Sequence, residues 1–220
     1  MKTFIFAVIL ALTGASPAAA QTIDLPTLID RVDRNFAGMR DFSADFIQIT
    51  AINLNRTQQD EGHLYLTKDH KMRAEYQKPE QRLYVSDGKT LFSYSPLDRE
   101  VIQEKLKDSA ADLTPMMALI GRAGLAKEFD PISELNTKPL FGGDRVLRLK
   151  PVRKNENVQS IEIEVNPRSN QVDRIIVLGA DKSRNEFIFM NIETNKSIPV
   201  AKFQFIPPAG TRQVIQGGTK

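Results

Sequence analysis

The sequence contains no cysteine. That excludes disulfides, thiolate metal sites, a cysteine nucleophile and lipid attachment through an N-terminal cysteine, all at once. Histidine is almost as scarce. His63 and His70 stand around a hairpin with no Glu-bearing helical motif between them, so they read as surface side chains and not as metal ligands. No Gly-x-Ser-x-Gly elbow, phosphate loop or dinucleotide glycine pattern is present, which leaves an enzyme without its usual machinery. Charge of one sign is lacking too: 30 Lys and Arg face 27 Asp and Glu, a formal net of +3 spread evenly along the chain. Such a balance gives no extended positive field for a nucleic-acid backbone.

Long apolar runs are also missing, with one short exception at the start. Lys2 is followed by an apolar stretch from Phe4 to Leu12 and by Ala18-Ala19-Ala20. The stretch is shorter than the roughly 20 residues of a permanent membrane span, and the Ala-x-Ala ending suits cleavage before Gln21. Residues 1–20 therefore read as a secretory signal and 21–220 as a single soluble domain outside the cytoplasm.

Leu25, Leu28, Ile29, Val32 and Phe36 recur at helical spacing, Asp24 can cap, Pro26 suits the first turn, and Gly38 ends the run. From Asp41 the period becomes two: Phe42, Ala44 and Phe46 alternate with Ser43, Asp45 and Ile47. Further strands are expected at Gly62 to Thr67, Lys71 to Gln77, Leu83 to Val85, Thr90 to Tyr94, Val146 to Leu149, Val158 to Val165, Val172 to Leu178, Phe187 to Ile192 and Val200 to Ile206. Asp87-Gly88 predicts a tight hairpin, and Asn166-Pro167 and Asp181 to Asn185 predict turns.

Several conspicuous groups carry no chemistry by themselves. Gly142-Gly143 lies in a turn before a strand. Glu162 and Glu164 alternate with Ile161, Ile163 and Val165, so they are expected to form a solvated row. Lys150, Arg153 and Lys154 beside Pro151 read as a soluble loop. One segment departs from the strand pattern: Thr114-Pro115-Met116-Met117-Ala118-Leu119-Ile120-Gly121 has a capping Thr, a first-turn Pro and a terminating Gly. It predicts a short mid-chain helix, apolar nearly all round, which must be covered on more than one side. The tail Gly217-Gly218-Thr219-Lys220 is expected to be disordered.

About ten antiparallel strands with two or three helices predict an α+β, mainly β, domain built on one large curved sheet. Its concave apolar face is either filled as an ordinary core or roofed by helices that leave room for a guest. Phe46, Leu64, Leu66, Met72, Tyr76, Val85, Phe92, Met116, Met117, Leu119 and Ile120 would serve in either case. The Met pair favours a guest, because methionine repacks around differing apolar shapes.

The segments Gly62 to Lys68, Arg73 to Pro79 and Tyr84 to Pro96 resemble the periplasmic outer-membrane lipoprotein carriers, the LolA family. Phe42-Ser43-Ala44-Asp45-Phe46-Ile47-Gln48 is similar to that family's first strand. Thr114 to Ile120 is similar to its lid helix, and Phe203 to Gly210 to its closing strand. The resemblance runs from about Asp24 to Ile215.

It implies a half-open, incomplete antiparallel β-barrel roofed by short α-helices. It also implies a monomeric chaperone, with neither catalysis nor a cofactor. Such a chaperone takes acylated lipoproteins from an inner-membrane ABC transporter to an outer-membrane receptor. The acyl-binding residues it implies are those named above, together with Ala74, which stands where the family has an aromatic residue and would widen the cavity. The family's lid-latching Arg and following Pro match Lys68 and Asp69 here. Lysine offers three donors on a point charge and not the rigid fork of arginine. The missing cysteine favours the soluble carrier over a lipid-anchored receptor of similar fold. A periplasmic sensory or interaction domain of the same fold, binding a regulator or a mislocalised lipoprotein, remains the alternative. The physics of carriage is demanding: at roughly 0.8 kcal/mol per CH₂, an acyl chain of about 16 carbons costs on the order of 12 kcal/mol to leave in water.

Overall fold

The periodicity of the first segment becomes α1 (Leu25–Gly38), with Leu28, Val32 and Phe36 on its buried face. Asp24 caps it, its carboxylate accepting from Thr27 N at 2.8 Å, and Pro26 occupies the first turn, where no backbone donor is needed. The structure is a computed structural model that describes residues 23–53, 56–105, 125–153 and 157–216. The signal segment, the Thr114–Gly121 helix with Met116, Met117, Leu119 and Ile120, and the terminal Gly217–Lys220 lie outside the described residues.

Among the described residues, twelve strands form a single sheet. They are β1 (Asp41–Asn53), β2 (Arg56–Thr67), β3 (Lys71–Lys78), β4 (Arg82–Asp87), β5 (Thr90–Ser95) and β6 (Glu100–Lys105), then β7 (Phe129–Leu135), β8 (Arg145–Pro151), β9 (Val158–Val165), β10 (Val172–Gly179), β11 (Arg184–Thr194) and β12 (Arg212–Gln216). Their order is β12-β6-β5-β4-β3-β2-β1-β11-β10-β9-β8-β7, so the sheet is open, with β12 and β7 as its edges. All neighbours are antiparallel except β12, which runs parallel to β6. A one-turn helix, α2 (Leu125–Glu128), precedes β7.

The sheet curls around α1. Leu91 of β5 and Leu147 and Leu149 of β8, which lie far apart in strand order, join one buried cluster with Leu28, Val32 and Phe36 of that helix. Among the described residues α1 fills this inner face, with Leu125 of α2 in the same cluster, which is the half-open, mainly β arrangement expected from the sequence.

At the β4–β5 hairpin Gly88 takes φ +93°, and the Asp87 carboxylate accepts from Lys89 N and Thr90 N at 2.8 Å each. Only the glycine needs the left-handed region there.

The C-terminal segment departs from expectation. Val200–Phe203 is a 3-10 turn and not the start of a strand, and it packs on the outer face of β3 and β4. Phe203 is buried there while Val200 and Ile206 are exposed. The Phe205 ring then meets Phe92 and Tyr94 at 5.6 and 5.5 Å between centroids. Arg73 Nη1 donates to Lys202 O at 3.3 Å, and Lys202 Nζ sits 4.5 Å from the Tyr65 ring centre. The chain thus crosses the outer face as a strap before adding β12 to the far edge.

The outer face of the other half is not the solvated row that the alternation suggests. Glu164 is 2% exposed and accepts from Phe141 N at 2.6 Å and from Arg174 Nη1 at 3.2 Å. Arg174 Nε also donates to Glu186 at 2.5 Å, Arg184 joins the same carboxylate, and Arg148 pairs with Glu162 at 2.6 Å. The 136–144 loop folds back so that Phe141 N donates to Glu164, and Arg174 pairs with the same carboxylate, which is why it is buried on the supposed solvent side.

Candidate functional site

Register fixes which side chains share the inner face. Phe42 faces Leu66, Ala44 faces Leu64, and Phe46 faces Gly62 across β1 and β2. Leu66, Leu64 and Gly62 face Met72, Ala74 and Tyr76 on β3. Phe46 also faces Phe189 on β11. These residues make a continuous apolar floor. Phe46, Leu64, Leu66, Met72 and Ala74 are each 3% exposed or less, and Tyr76 and Tyr84 are partly buried against them.

Gly62 is required at its place. A Cβ there would stand 2.3 Å from Glu75 O and 2.8 Å from the Phe46 ring. The bare backbone lets that ring lie across the strand, where it meets Tyr76 edge-on at 5.0 Å.

Two expected members are not on this floor. Val85 faces Arg73 and Phe92 faces Val85, and Arg73 reaches the strap on the outer side, so Val85 and Phe92 belong to the outer face. The reason lies in the residues around them. Leu83-Tyr84-Val85 and Leu91-Phe92 are apolar at both parities, and a shift of one residue exchanges the faces. Tyr84 and Leu91 are the inner members.

Past Phe46 and Tyr76 the same face changes character within one residue pair. Gln48 faces Asp60, Thr50 faces Gln58 and Asn185, and Tyr76 faces Arg82. Tyr76 Oη donates to Gln48 Oε1 at 2.6 Å, Gln48 Nε2 donates to Asn185 Oδ1 at 2.9 Å, and Gln58 Nε2 donates to Asp60 at 3.0 Å. Arg82 pairs with Asp60, which is 3% exposed, and its guanidinium carbon lies 4.7 Å from the Tyr76 ring centre. Burial, foremost, pushes the Tyr76 hydroxyl far above the ordinary phenol value, so it stays a proton donor. This polar zone is absent from the site that the sequence suggests. The signal for it is the continued alternation 42, 44, 46, 48, 50 on β1, whose last two members are Gln and Thr. Phe187 and Phe189, stacked at 6.3 Å, complete the aromatic wall, and the sequence alone marks them only as strand residues.

Lys68 follows β2 and is exposed, yet it is held. Its Nζ donates to Ala37 O, in the last turn of α1, at 3.2 Å, and its own N donates to Arg40 O at 3.0 Å. A cation at a helix C-terminus is favourably placed.

The structure places His63 beside a carboxylate. His63 lies on the outer face with Nδ1 2.7 Å from Asp45 Oδ1, and Asn191 Nδ2 donates to the other oxygen of that carboxylate at 2.7 Å. These contacts, the Asn191 bond first, hold the Asp45 carboxyl below its usual range. No cluster of three or more metal-ligating side chains occurs among the described residues.

Comparison with known proteins matches this architecture. Residues 37–206 fit the family model described as Outer membrane lipoprotein carrier protein LolA. The outer-membrane lipoprotein carrier protein of Bordetella avium is 27% identical over 82% of this chain and 84% of its own. That of Chromohalobacter salexigens is 26% identical over 99% of this chain and the whole of its own. Among solved structures, an uncharacterized conserved protein from Thermus thermophilus superposes with a TM-score of 0.54 at 13% identity, covering 86% of this chain and 97% of that one, and shares the fold. With a family model spanning the end of the helix, the apolar floor and most of the strap, this chain belongs to the LolA family of outer-membrane lipoprotein carrier proteins.

Proposed function

We propose that the mature chain, beginning at Gln21 after removal of the signal segment, is a monomeric periplasmic chaperone. It accepts acylated lipoproteins from an inner-membrane ABC transporter, shields their acyl chains and releases them to an outer-membrane receptor. The observation that carries this reading is the continuous apolar floor of Phe46, Leu64, Leu66, Met72, Ala74 and Tyr76 on the concave side of an unclosed sheet. Met116, Met117, Leu119 and Ile120 supply the opposing surface in this reading.

The floor is packed in the structure, so a guest enters by replacing what covers it. The partly buried Tyr76 and Tyr84 mark the easier end. The energetics suit a carrier: several kcal/mol of core packing are exchanged for several kcal/mol of acyl burial, which leaves a net small enough to reverse at a receptor. Lys68 acts as the latch by holding the end of α1 through Ala37 O, the helix that fills the concavity. No catalytic step and no cofactor enter this scheme.

The test incubates the purified mature protein with inner-membrane vesicles that hold labelled lipoprotein and the transporter, with ATP. Soluble label in a one-to-one complex is expected. Label that stays with the vesicles, while a well-characterised family carrier releases it under the same conditions, would overturn the reading.

A further inference from the structure

The inner face is built in two zones, and the boundary between them is abrupt. On β1 the inward residues run Phe42, Ala44, Phe46 and then Gln48, Thr50. On β2 they run Leu66, Leu64, Gly62 and then Asp60, Gln58. On β11 Phe189 and Phe187 give way to Asn185. A sheet face that only had to pack would fade into solvent at this end. Here Asp60 is 3% exposed, and the side chains are tied into one network running from Asn185 through Gln48 and Tyr76 to Arg82 and Asp60.

The network is unbalanced in donors and acceptors. The oxygens of Gln48, Asn185 and Asp60 all receive hydrogen bonds from within it. Arg82 Nε, by contrast, is buried without a partner, and Asn185 enters only as an acceptor, through Oδ1. An N–H left without an acceptor inside a protein is destabilising unless something else supplies one. Beside these groups lies an open cleft of about 410 Å³, lined by Arg56, Gln58, Asp60, Pro79, Glu80 and Arg82. Apolar floor, surplus donors and polar cleft thus follow one another along the strand direction.

We propose that the polar zone around Tyr76 and Arg82 binds the carbonyl-rich junction of an acylated polypeptide, where ester and amide oxygens join the acyl chains to the first residue. The inference rests on the proposed lipid-binding role of the floor and adds what distinguishes the cargo from a bare hydrocarbon. In this arrangement the tails lie on the floor past Phe46. The ester and amide oxygens accept from Arg82 Nε and from the amide group of Asn185. The polypeptide leaves through the cleft beside Gln58 and Glu80. Tyr76 sets the boundary: its ring closes the floor against Phe46 and its hydroxyl holds Gln48 in place. Such a site prefers a guest with both parts, because a hydrocarbon alone leaves the donors unpaired and a peptide alone leaves the floor empty.

Two conservative variants test it, each first shown to unfold at a temperature close to wild type. Asn185→Asp keeps an Oδ1 acceptor for Gln48 and removes the amide donors. Arg82→Lys keeps a cation for Asp60 and removes Nε. Three probes are titrated: a hydrocarbon dye without oxygen, a diacylglycerol, and a short diacylglyceryl-cysteinyl peptide.

Both variants should bind the dye as wild type does and the lipopeptide about tenfold more weakly, a change expected for one lost hydrogen bond to a buried group. Equal loss for diacylglycerol assigns the contact to the esters, and loss for the lipopeptide alone assigns it to the amide. Unchanged lipopeptide binding in both variants, or an equal loss for the dye and the lipopeptide, would overturn the two-zone inference while leaving lipid carriage intact. A wild-type protein that binds none of the three would remove both.

Discussion

The two faces of the curved sheet solve different problems with similar residues. The inner face collects Leu64, Leu66, Met72, Ala74, Phe42 and Phe46 around α1 and surrenders the end of each strand to polar groups. The outer face is closed twice. Over β3 to β5 the strap brings Phe203 and Phe205, and over β8 to β11 it carries the ladder of Arg148, Glu162, Glu164, Arg174 and Glu186. Both faces bury apolar side chains, so burial alone does not mark a binding surface. What separates them is the cover. The outer cover is the chain's own strap and ion pairs, whereas the inner floor is opposed by α1, which packs through Leu28, Val32 and Phe36 and accepts hydrogen bonds from Lys68 and Asn195 at its end.

If that contrast is right, damage to the outer cover changes stability and leaves guest binding per folded molecule unchanged. Phe203→Ala should cost the most, about 4 kcal/mol, because it empties a fully covered site under the strap. Denaturant unfolding measures the loss, and dye binding normalised to folded protein should match wild type. On the inner face Gly62→Ala should cost about 3 kcal/mol, since the new methyl meets Glu75 O and the Phe46 ring. This variant should also alter dye binding, because the ring that moves is part of the floor.

Glu164→Gln should cost about 2 kcal/mol by weakening the pairing with Arg174 while leaving an oxygen for Phe141 N. Its effect should shrink little with added salt, since the pair is buried.

The same corner predicts a pH dependence. Burial, helped by the neighbouring Asp173, pushes the Asp144 carboxyl well above the ordinary carboxylate range, up to about 7. The folded chain then holds a proton that the unfolded chain releases, so this group's contribution to stability is full below about pH 4 and is lost as pH rises through about 7. Thermal unfolding followed from pH 5 to 8 should show a falling midpoint, by a few degrees. Asp144→Asn should flatten that slope, and an unchanged slope would remove Asp144 as its source. The smallest effect belongs to Lys68→Leu, which loses one exposed hydrogen bond to α1. It should cost less than about 1 kcal/mol of global stability, yet raise hydrogen exchange in the last turn of that helix.

Much of the architecture is legible because the relevant residues obey one period. The Leu28, Val32, Phe36 spacing gives α1, Phe42, Ala44 and Phe46 give the start of β1, and Asp87-Gly88 gives the hairpin. The strands that escape have reasons of their own. β6 spreads Val101 and Ile102 over opposite faces, β7 is an edge strand carrying Pro131, which argues against a strand in a linear reading, and β12 is a polar strand paired with β6. The Val200 to Ile206 run alternates as a strand would, but its partners are side chains on an existing face, so it remains a strap.

The site is legible to the extent that its floor is apolar. Val85 and Phe92 lie on the face opposite to the expected one because their neighbours are apolar too, and parity there is set by pairing with β3, a tertiary fact. Alternation sends Glu164 to solvent because the loop that covers it belongs to another part of the chain. The polar zone escapes a linear reading because Gln48, Asp60, Tyr76, Arg82 and Asn185 come from five strands and converge only when the register is known.

The absence of tryptophan offers a direct test of the central claim, that acyl chains lie on the inner face and not the outer. Tyr84→Trp places a single reporter at the partly buried inner end, and Phe92→Trp places one beneath the strap, each replacing one aromatic ring with another. A diacylated lipopeptide brominated along its acyl chains quenches only indole rings it touches. Strong, saturable quenching of the Tyr84→Trp protein with little change in the Phe92→Trp protein is the predicted result. Quenching of the outer reporter, with the inner one untouched, would contradict the account.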